Sequence, residues 1–150
     1  MTDYSLLCKK LESLVEGVPH KIANLANASA LLFETLDSVN WAGFYLLEDG
    51  KLILGPFQGK TACIEIPIGR GVCGTAAFKR ETQLVKNVHE FEGHIACDSA
   101  SNSEIVIPIF QNGKVVGVLD IDSPELERFD ENDRLGLERF VKILENKVFV

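Results

Sequence analysis

The stretch "EIVIPIFQNGKVVGVLDID", residues 104–122, contains two apolar, β-branched runs separated by Asn112-Gly113. Asparagine and glycine tolerate the positive φ that a two-residue hairpin turn requires, and β-branched residues favour strands. The stretch therefore predicts a β-hairpin, and it is the clearest local pattern in the chain. We expect its two strands to be central in a sheet.

The turn also predicts which residues of the two strands lie opposite each other. If the turn has strictly two residues, Gln111 pairs with Lys114, and counting back along both strands places Glu104 across from Ile121. Successive side chains of a strand point to opposite faces of the sheet. In a regular hairpin, Glu104 would therefore lie on the same face as Ile121, away from side chains on the opposite face.

Two further acids, Asp120 and Asp122, lie two residues apart on the second strand and share that opposite face. The two aspartates and Glu104 can converge only if the hairpin contains a β-bulge or a strand ends early, near Pro108. Charged groups at the end of an apolar strand are costly unless they are exposed or used. From their spacing alone, the three acids could form either a solvated strand end or a functional cluster.

Apolar periodicity predicts the other long elements. Before the hairpin we expect helices at about 3–16 and 19–36, which pack as a pair, and strands at about 40–47 and 51–57 around an Asp49-Gly50 turn. Asp130 can cap a closing helix that ends near residue 146. The residues expected to form the apolar stripes of the three helices are Leu6, Leu7, Leu11, Leu14, Val15, Ile22, Leu25, Ala26, Ser29, Leu32, Phe33, Leu135, Leu137, Phe140, Val141 and Leu144.

Shorter elements are predicted in the middle of the chain, where "CIEIPI" and "TQLVKNV" favour strands and "GRGVCGTAAFKR" favours a loop that enters a short helix. This order predicts an α+β fold in which residues 1–150 form one domain with a mostly antiparallel sheet. The N- and C-terminal helices should cover one face of the sheet. Loops should cover the other face, where a pocket can form.

Composition and charge exclude several classes of protein. The chain has 150 residues, of which 46% are hydrophobic and 25% charged, as expected for one globular domain. A formal net charge of −7, without a cluster of lysine and arginine, argues against nucleic-acid binding. No stretch is apolar for long enough to span a membrane and the first residues lack the apolar core of a signal peptide, so we expect a cytoplasmic protein.

The four cysteines lie in different settings. Cys8 lies among leucines and is expected to be a packed core residue. The strand position of Cys63 does not separate a core role from a functional one. Cys73 is near a predicted helix N-terminus, which favours the thiolate, but it could equally be a small residue packed beneath a glycine turn. Cys97 stands among small polar residues, where a cysteine that only packs is unusual.

A metal site is a weaker interpretation of these residues. His94, Cys97, Cys63 and Cys73 make a nominal set of four ligands, but structural zinc sites usually contain close pairs such as C-x-x-C. His89 and His94 are expected to be hydrogen-bonded or solvated loop residues. We therefore predict no metal ion.

Trp41 and Tyr45 are four residues apart on the first predicted strand and so lie on one face. Aromatic pairs on a strand usually belong to the core. These two could equally form the wall of a pocket for a small molecule.

Together, the motifs "NWAGFYL", "GVCGTAA", "GHIACDSASNSEIVIP" and "GVLDIDSP" closely resemble the free methionine-(R)-sulfoxide reductases, which have a GAF-type fold. The resemblance extends from about residue 38 to 129. It implies that Cys97 is the catalytic nucleophile, that Cys63 is the principal resolving thiol and that Cys73 has a supporting or alternative role. It also implies that Glu104, Asp120 and Asp122 bind the substrate and that Trp41 and Tyr45 form an aromatic wall.

The implied reaction uses these residue types. A thiolate attacks the sulfoxide sulfur while a protonated carboxyl group, expected to be Glu104 or Asp122, donates a proton to the oxygen. The resulting sulfenic acid condenses into a Cys63–Cys97 disulfide, which thioredoxin would reduce. The resemblance implies neither a metal nor an organic cofactor, and it implies a homodimer.

Two other functions are compatible with the sequence. A GAF module can bind a small molecule without turning it over, because fold does not determine function. A sensor of this kind has no need for three cysteines. A thiol peroxidase would use Cys97 but would leave the acids without an evident purpose.

Overall fold

Residues 1–95 and 100–150 are described by the structure, a computed structural model. Within these ranges the chain forms four α-helices and six β-strands. In chain order they are α1 (Tyr4–Val15), α2 (Lys21–Thr35), β1 (Trp41–Glu48), β2 (Lys51–Gly59), β3 (Glu65–Pro67), α3 (Gly71–Lys79), β4 (Gln83–Val85), β5 (Ser103–Gln111), β6 (Lys114–Ser123) and α4 (Glu131–Lys147).

The long helices begin where the sequence predicts them to begin. The Asp3 side chain accepts a hydrogen bond from the Leu6 backbone N–H at 3.0 Å and so caps α1. At α4, the Asp130 carboxylate accepts from the Asp133 N–H at 3.0 Å, while the Asp133 carboxylate accepts from the Asp130 N–H at 2.9 Å. This reciprocal capping box satisfies two amide groups that a helix start leaves without partners.

The six strands form one antiparallel sheet in the order β3-β2-β1-β6-β5-β4. The predicted hairpin is β5–β6, and its turn residues Asn112 and Gly113 have φ of 53° and 76°. Strand β6 is central, as predicted. Strand β5 lies next to the short edge strand β4, so both hairpin strands are inside the sheet. No helix in the described part of the chain is long and apolar enough to cross a membrane.

The hairpin contains the β-bulge that convergence of the acids requires. Gln111 pairs with Lys114 as expected for a two-residue turn, but Ile109 pairs with Gly117, which leaves Val116 as the extra residue of β6. A Cβ on Gly117 would lie 2.6 Å from the Tyr45 carbonyl oxygen, so only glycine allows the neighbouring strand to approach this closely.

The bulge changes the pairing at the open end of the hairpin. Glu104 lies across from Asp122, and Val106 lies across from Asp120. All three acids consequently share one face of the sheet. The irregularity begins one residue beyond Pro108, between Ile109 and Phe110, and not at the proline itself.

The sheet separates two apolar layers, which confirms the predicted arrangement. Helices α1, α2 and α4 cover one face, and Cys8 lies fully buried in this layer, as predicted. Helix α3 and the neighbouring loops cover the other face. The buried residues of this second layer include Trp41, Tyr45, Val72, Cys73, Val106 and Val118.

Some residues predicted to face the core are exposed instead. They are Leu6, Leu14, Ile22, Ala26, Phe33 and Leu135. On α4 the buried side is determined by α1, which packs so closely that a Cβ on Gly136 would lie 2.1 Å from the Tyr4 ring. This contact places Gly136 and Leu137 inside and turns Leu135 towards solvent.

Candidate functional site

A pocket lies on the sheet face that α3 covers. The cavity that the described residues enclose is small, with a volume of about 40 Å³. Six of the predicted site residues line it, Trp41, Tyr45, Cys73, Glu104, Asp120 and Asp122, whereas Cys63 does not. The other lining residues are Thr61, Ala62, Ile66, Gly71, Val72, His94, Ile95 and Ser101. The structure therefore brings the three predicted acids and the two predicted aromatic residues to one pocket.

Three carboxyl groups form the floor of the pocket. Glu104 and Asp120 are 7% and 5% exposed, and Asp122 is half-buried. The Oδ1 atom of Asp120 is buried and has no hydrogen-bond partner among the described residues. A buried acceptor without a donor is costly, so this oxygen is suited to a ligand that brings a positively charged donor.

Two acids of the pocket floor, Glu104 and Asp120, have raised pKa values. Burial raises the pKa of Glu104 well above its ordinary value, and the charges of Asp120 and Asp122 raise it further. Burial also raises the pKa of Asp120, although hydrogen bonding with Glu104 and Cys73 opposes that rise. Glu104 is therefore suited to carry a proton at neutral pH.

Cys73 lies above these acids in the first turn of α3, as predicted. Burial raises the pKa of its thiol well above the ordinary range, and the nearby charges of Asp120, Glu104 and Asp122 raise it further. These effects outweigh the helix N-terminus, which alone would favour the thiolate. Of the two interpretations that the sequence left open, the structure favours the packed, neutral thiol.

The aromatic wall is formed by stacked side chains of β1 and β2. The ring centroids of Trp41 and Tyr45 lie 5.9 Å apart, and those of Trp41 and Phe57 lie 5.1 Å apart. Trp41 and Tyr45 are each 2% exposed, and both line the pocket. They are core residues and wall residues at once, so the two interpretations from the sequence do not exclude each other.

The cysteines differ in redox state. Cys63 is disulfide-bonded, whereas Cys8 and Cys73 are free thiols. Cys63 is half-buried and precedes β3, so the prediction that it lies on a strand is wrong: β3 begins only at Glu65. Cys97, the predicted nucleophile, is one of residues 96–99, which lie outside the described residues.

The described residues contain one group that could hold a metal ion. Cys73, Glu104 and Asp120 each offer a ligand atom, and these atoms lie within 4.8 Å of one another. This set differs from the one considered from the sequence, which used His94 and Cys63.

Several pocket residues could not be identified from the sequence. Ser101 is 6% exposed and its hydroxyl is 3.3 Å from the Asn40 side-chain nitrogen. His94 lines the pocket, and burial lowers its pKa, as does the nearby His89. Their only sequence signal is their position in the polar segment before Glu104, which does not distinguish pocket residues from solvated loop residues.

Comparison with known proteins gives consistent matches. Residues 23–145 match the family model of the GAF domain. The free methionine-R-sulfoxide reductase of Escherichia coli (strain K12) is 54% identical over 142 residues, which cover 95% of this chain and 86% of that protein. The solved structure of fRMsr of Staphylococcus aureus in its reduced form is 59% identical with a TM-score of 0.96, and it covers 99% of this chain and 96% of that one. The structure of fRMsr of Staphylococcus aureus in complex with substrate is 58% identical with a TM-score of 0.94, and it covers 99% of this chain and 97% of that one.

Proposed function

The chain belongs to the GAF-domain family of free methionine-R-sulfoxide reductases, and from that membership we propose that it reduces free methionine-(R)-sulfoxide to methionine. The observation that carries the proposal is the pocket floor of Glu104, Asp120 and Asp122, closed by the aromatic pair and lying beside the loop of Cys63. This arrangement supplies a proton donor, an acceptor for an ammonium group and a redox-active thiol.

In the first step, the Cys97 thiolate attacks the sulfoxide sulfur and Glu104 donates a proton to the oxygen. The oxygen passes to Cys97, the substrate sulfur gains two electrons, and the products are methionine and a Cys97 sulfenic acid. A carboxyl group that remains protonated at neutral pH can make this donation, and the raised pKa of Glu104 supports that role.

The carboxylates left ionised would hold the substrate's ammonium group. The Oδ1 atom of Asp120, for which the described residues supply no hydrogen-bond donor, supports this assignment, since an ammonium donor would satisfy it. Asp122, across from Glu104, is the second candidate. Trp41 and Tyr45 would contact the apolar part of the substrate. A peptide-bound methionine has no free ammonium group, which accounts for a preference for the free amino acid.

In the second step, the Cys63 thiol condenses with the sulfenic acid, forming the Cys63–Cys97 disulfide and releasing water. Support comes from the bonded state of Cys63, which shows that this thiol can be oxidised. Thioredoxin would then restore both thiols by exchange, its own dithiol becoming oxidised. Cys73, beside the acids, would support the site. The reaction needs no metal or organic cofactor; a cytoplasmic location and a homodimer stay predictions.

The test follows NADPH consumption through a thioredoxin system, with free L-methionine-(R)-sulfoxide and the S epimer offered separately. We expect turnover of the R epimer only, and its loss in Cys97→Ser. Cys8→Ala is the matched control, because Cys8 is a free cysteine buried in the helical layer on the other face. Tight binding of the R epimer without turnover would instead indicate a sensor.

A further inference from the structure

The loop that carries Cys63 has little backbone structure of its own. Residues 60–64 connect β2 to β3 and form no helix or strand. Within the described residues, its backbone bond to the sheet runs from the Leu54 N–H to the Ile64 carbonyl oxygen at 2.9 Å. Ile64 is 70% exposed, so it does not anchor the loop by burial.

Two side chains of β1 donate hydrogen bonds to the backbone of this loop. The Trp41 indole N–H donates to the Lys60 carbonyl oxygen at 3.1 Å, and the Tyr45 hydroxyl donates to the Cys63 carbonyl oxygen at 2.8 Å. Both rings are buried and stacked, so their polar tips have fixed positions. The Tyr45 bond acts on Cys63 itself, whereas the Trp41 bond acts three residues earlier.

From this geometry, and resting on the proposed function, we propose that Tyr45 is a positioning residue for the resolving thiol. Its hydroxyl holds the backbone of Cys63 and so restricts the positions that the Cys63 side chain can reach. Tyr45 thus acts in disulfide formation through Cys63, in addition to lining the pocket. Condensation needs a short sulfur-to-sulfur approach, so a loose loop would slow it.

The Tyr45 hydroxyl keeps its proton at neutral pH and therefore remains a hydrogen-bond donor. Burial raises the pKa of the Tyr45 hydroxyl above its ordinary value, and the charges of Asp120 and Asp122 raise it further. The hydroxyl therefore keeps its proton when the acids ionise. The same acids that would bind the substrate thus also help to keep the Cys63 anchor a donor.

Tyr45→Phe isolates this contribution because it keeps the ring and removes only the hydroxyl. Because Tyr45 also lines the pocket, the first step is measured separately, as the methionine that the reduced variant forms from excess R-sulfoxide without reductant. We expect the sulfenic acid that has formed to be converted to the disulfide about tenfold more slowly than in the wild-type protein. The sulfenic acid should accumulate in the meantime. Dimedone traps sulfenic acids, so the trapped fraction measured by intact mass, followed against loss of free thiols, separates the two steps.

The matched control is Tyr4→Phe. Tyr4 is the other tyrosine of the chain, and its buried hydroxyl donates to Asp133 at 2.6 Å in the layer on the other side of the sheet. It also loses one buried hydrogen bond but should form the disulfide at the wild-type rate. Cys63→Ser, which has no resolving thiol, defines the largest amount of trapped sulfenic acid.

The outcomes separate the two proposals. Slow conversion of the sulfenic acid to the disulfide in Tyr45→Phe, whatever the rate of its first step, supports the positioning role. Conversion at the wild-type rate in Tyr45→Phe, or equal slowing in Tyr4→Phe, overturns it. If the wild-type protein forms no methionine at all, it is the proposed function that fails.

Discussion

Glu104 combines two properties that conflict in most carboxyl groups. It is buried against two other acids, which disfavours its charge, yet it lies in the pocket that we propose binds a charged amino acid. The cluster avoids three adjacent charges if Glu104 keeps a proton and an aspartate is ionised. The proton is then available where the sulfoxide oxygen would be.

Glu104→Gln tests this assignment, because the amide has nearly the same shape but cannot supply an acidic proton. We expect kcat for the R epimer to fall by roughly 10²-fold or more, the usual contribution of a general acid. Glu12→Gln, an exposed position on α1, should leave kcat unchanged. A rise in KM with kcat unchanged would show that Glu104 binds substrate without donating the proton.

The sequence could identify the chemical groups of this site but not their protonation or their anchors. Residue type and spacing mark Glu104 and Cys73, whereas the pKa of each depends on burial and on neighbours brought in by other elements. The bond from Tyr45 to the Cys63 carbonyl is similarly invisible, because its acceptor is a backbone atom common to every residue. The role of Cys97 as nucleophile is implied by the resemblance and stays a prediction, because Cys97 lies outside the described residues.

Among the helices, α4 shows how a local sequence pattern determines where an element starts. Asp130→Ala removes the acceptor for the Asp133 N–H, and we expect the free energy of unfolding to fall by about 1 kcal/mol. Activity should persist, because α4 lies on the sheet face opposite the pocket. Urea titration followed by circular dichroism measures the loss.

Asp130→Asn is the control for this prediction. Asparagine caps helices about as well as aspartate, so its loss should be much smaller than that of alanine. Equal losses in the two variants would mean that the charge of Asp130, and not its hydrogen bond to the helix, stabilises α4.

Helix starts and hairpin turns were predictable because their determinants lie within a few residues. The sequence could predict that the acids converge only if the hairpin contains a bulge, but it could not predict the bulge at Val116 itself. Its position depends on the close approach of β1 to Gly117, which is a contact between distant parts of the chain. The exposure of Leu135 has the same kind of origin, since α1 determines which side of α4 is buried.

At the scale of the whole molecule, the two faces of the sheet bury different kinds of side chain. The helical layer contains most of the large apolar side chains, whereas the pocket layer contains buried acids. Burying ionisable groups reduces stability when they must ionise. The larger apolar layer can offset that loss because hydrophobic burial is the main stabilising contribution to a fold.

This division makes stability depend on pH in a direction that the pKa shifts determine. The pKa of Glu104 is raised above its ordinary value of 4.5 in the folded state, so above pH 4.5 the folded state binds a proton that the unfolded state has lost. The free energy of unfolding should therefore decrease as pH rises from about 5 to 8, by at most about 1.4 kcal/mol per pH unit from this group. Asp120 adds a contribution of the same sign.

Glu104→Gln removes the titrating group, so the stability of the variant relative to the wild-type protein should increase with pH over this range. Urea titrations of both proteins at pH 5, 6.5 and 8, in the reduced state, measure the difference. A residual decrease in the variant would reflect Asp120. Parallel curves for the two proteins would show that Glu104 ionises normally in the folded state, which would also remove the physical basis for its role as proton donor.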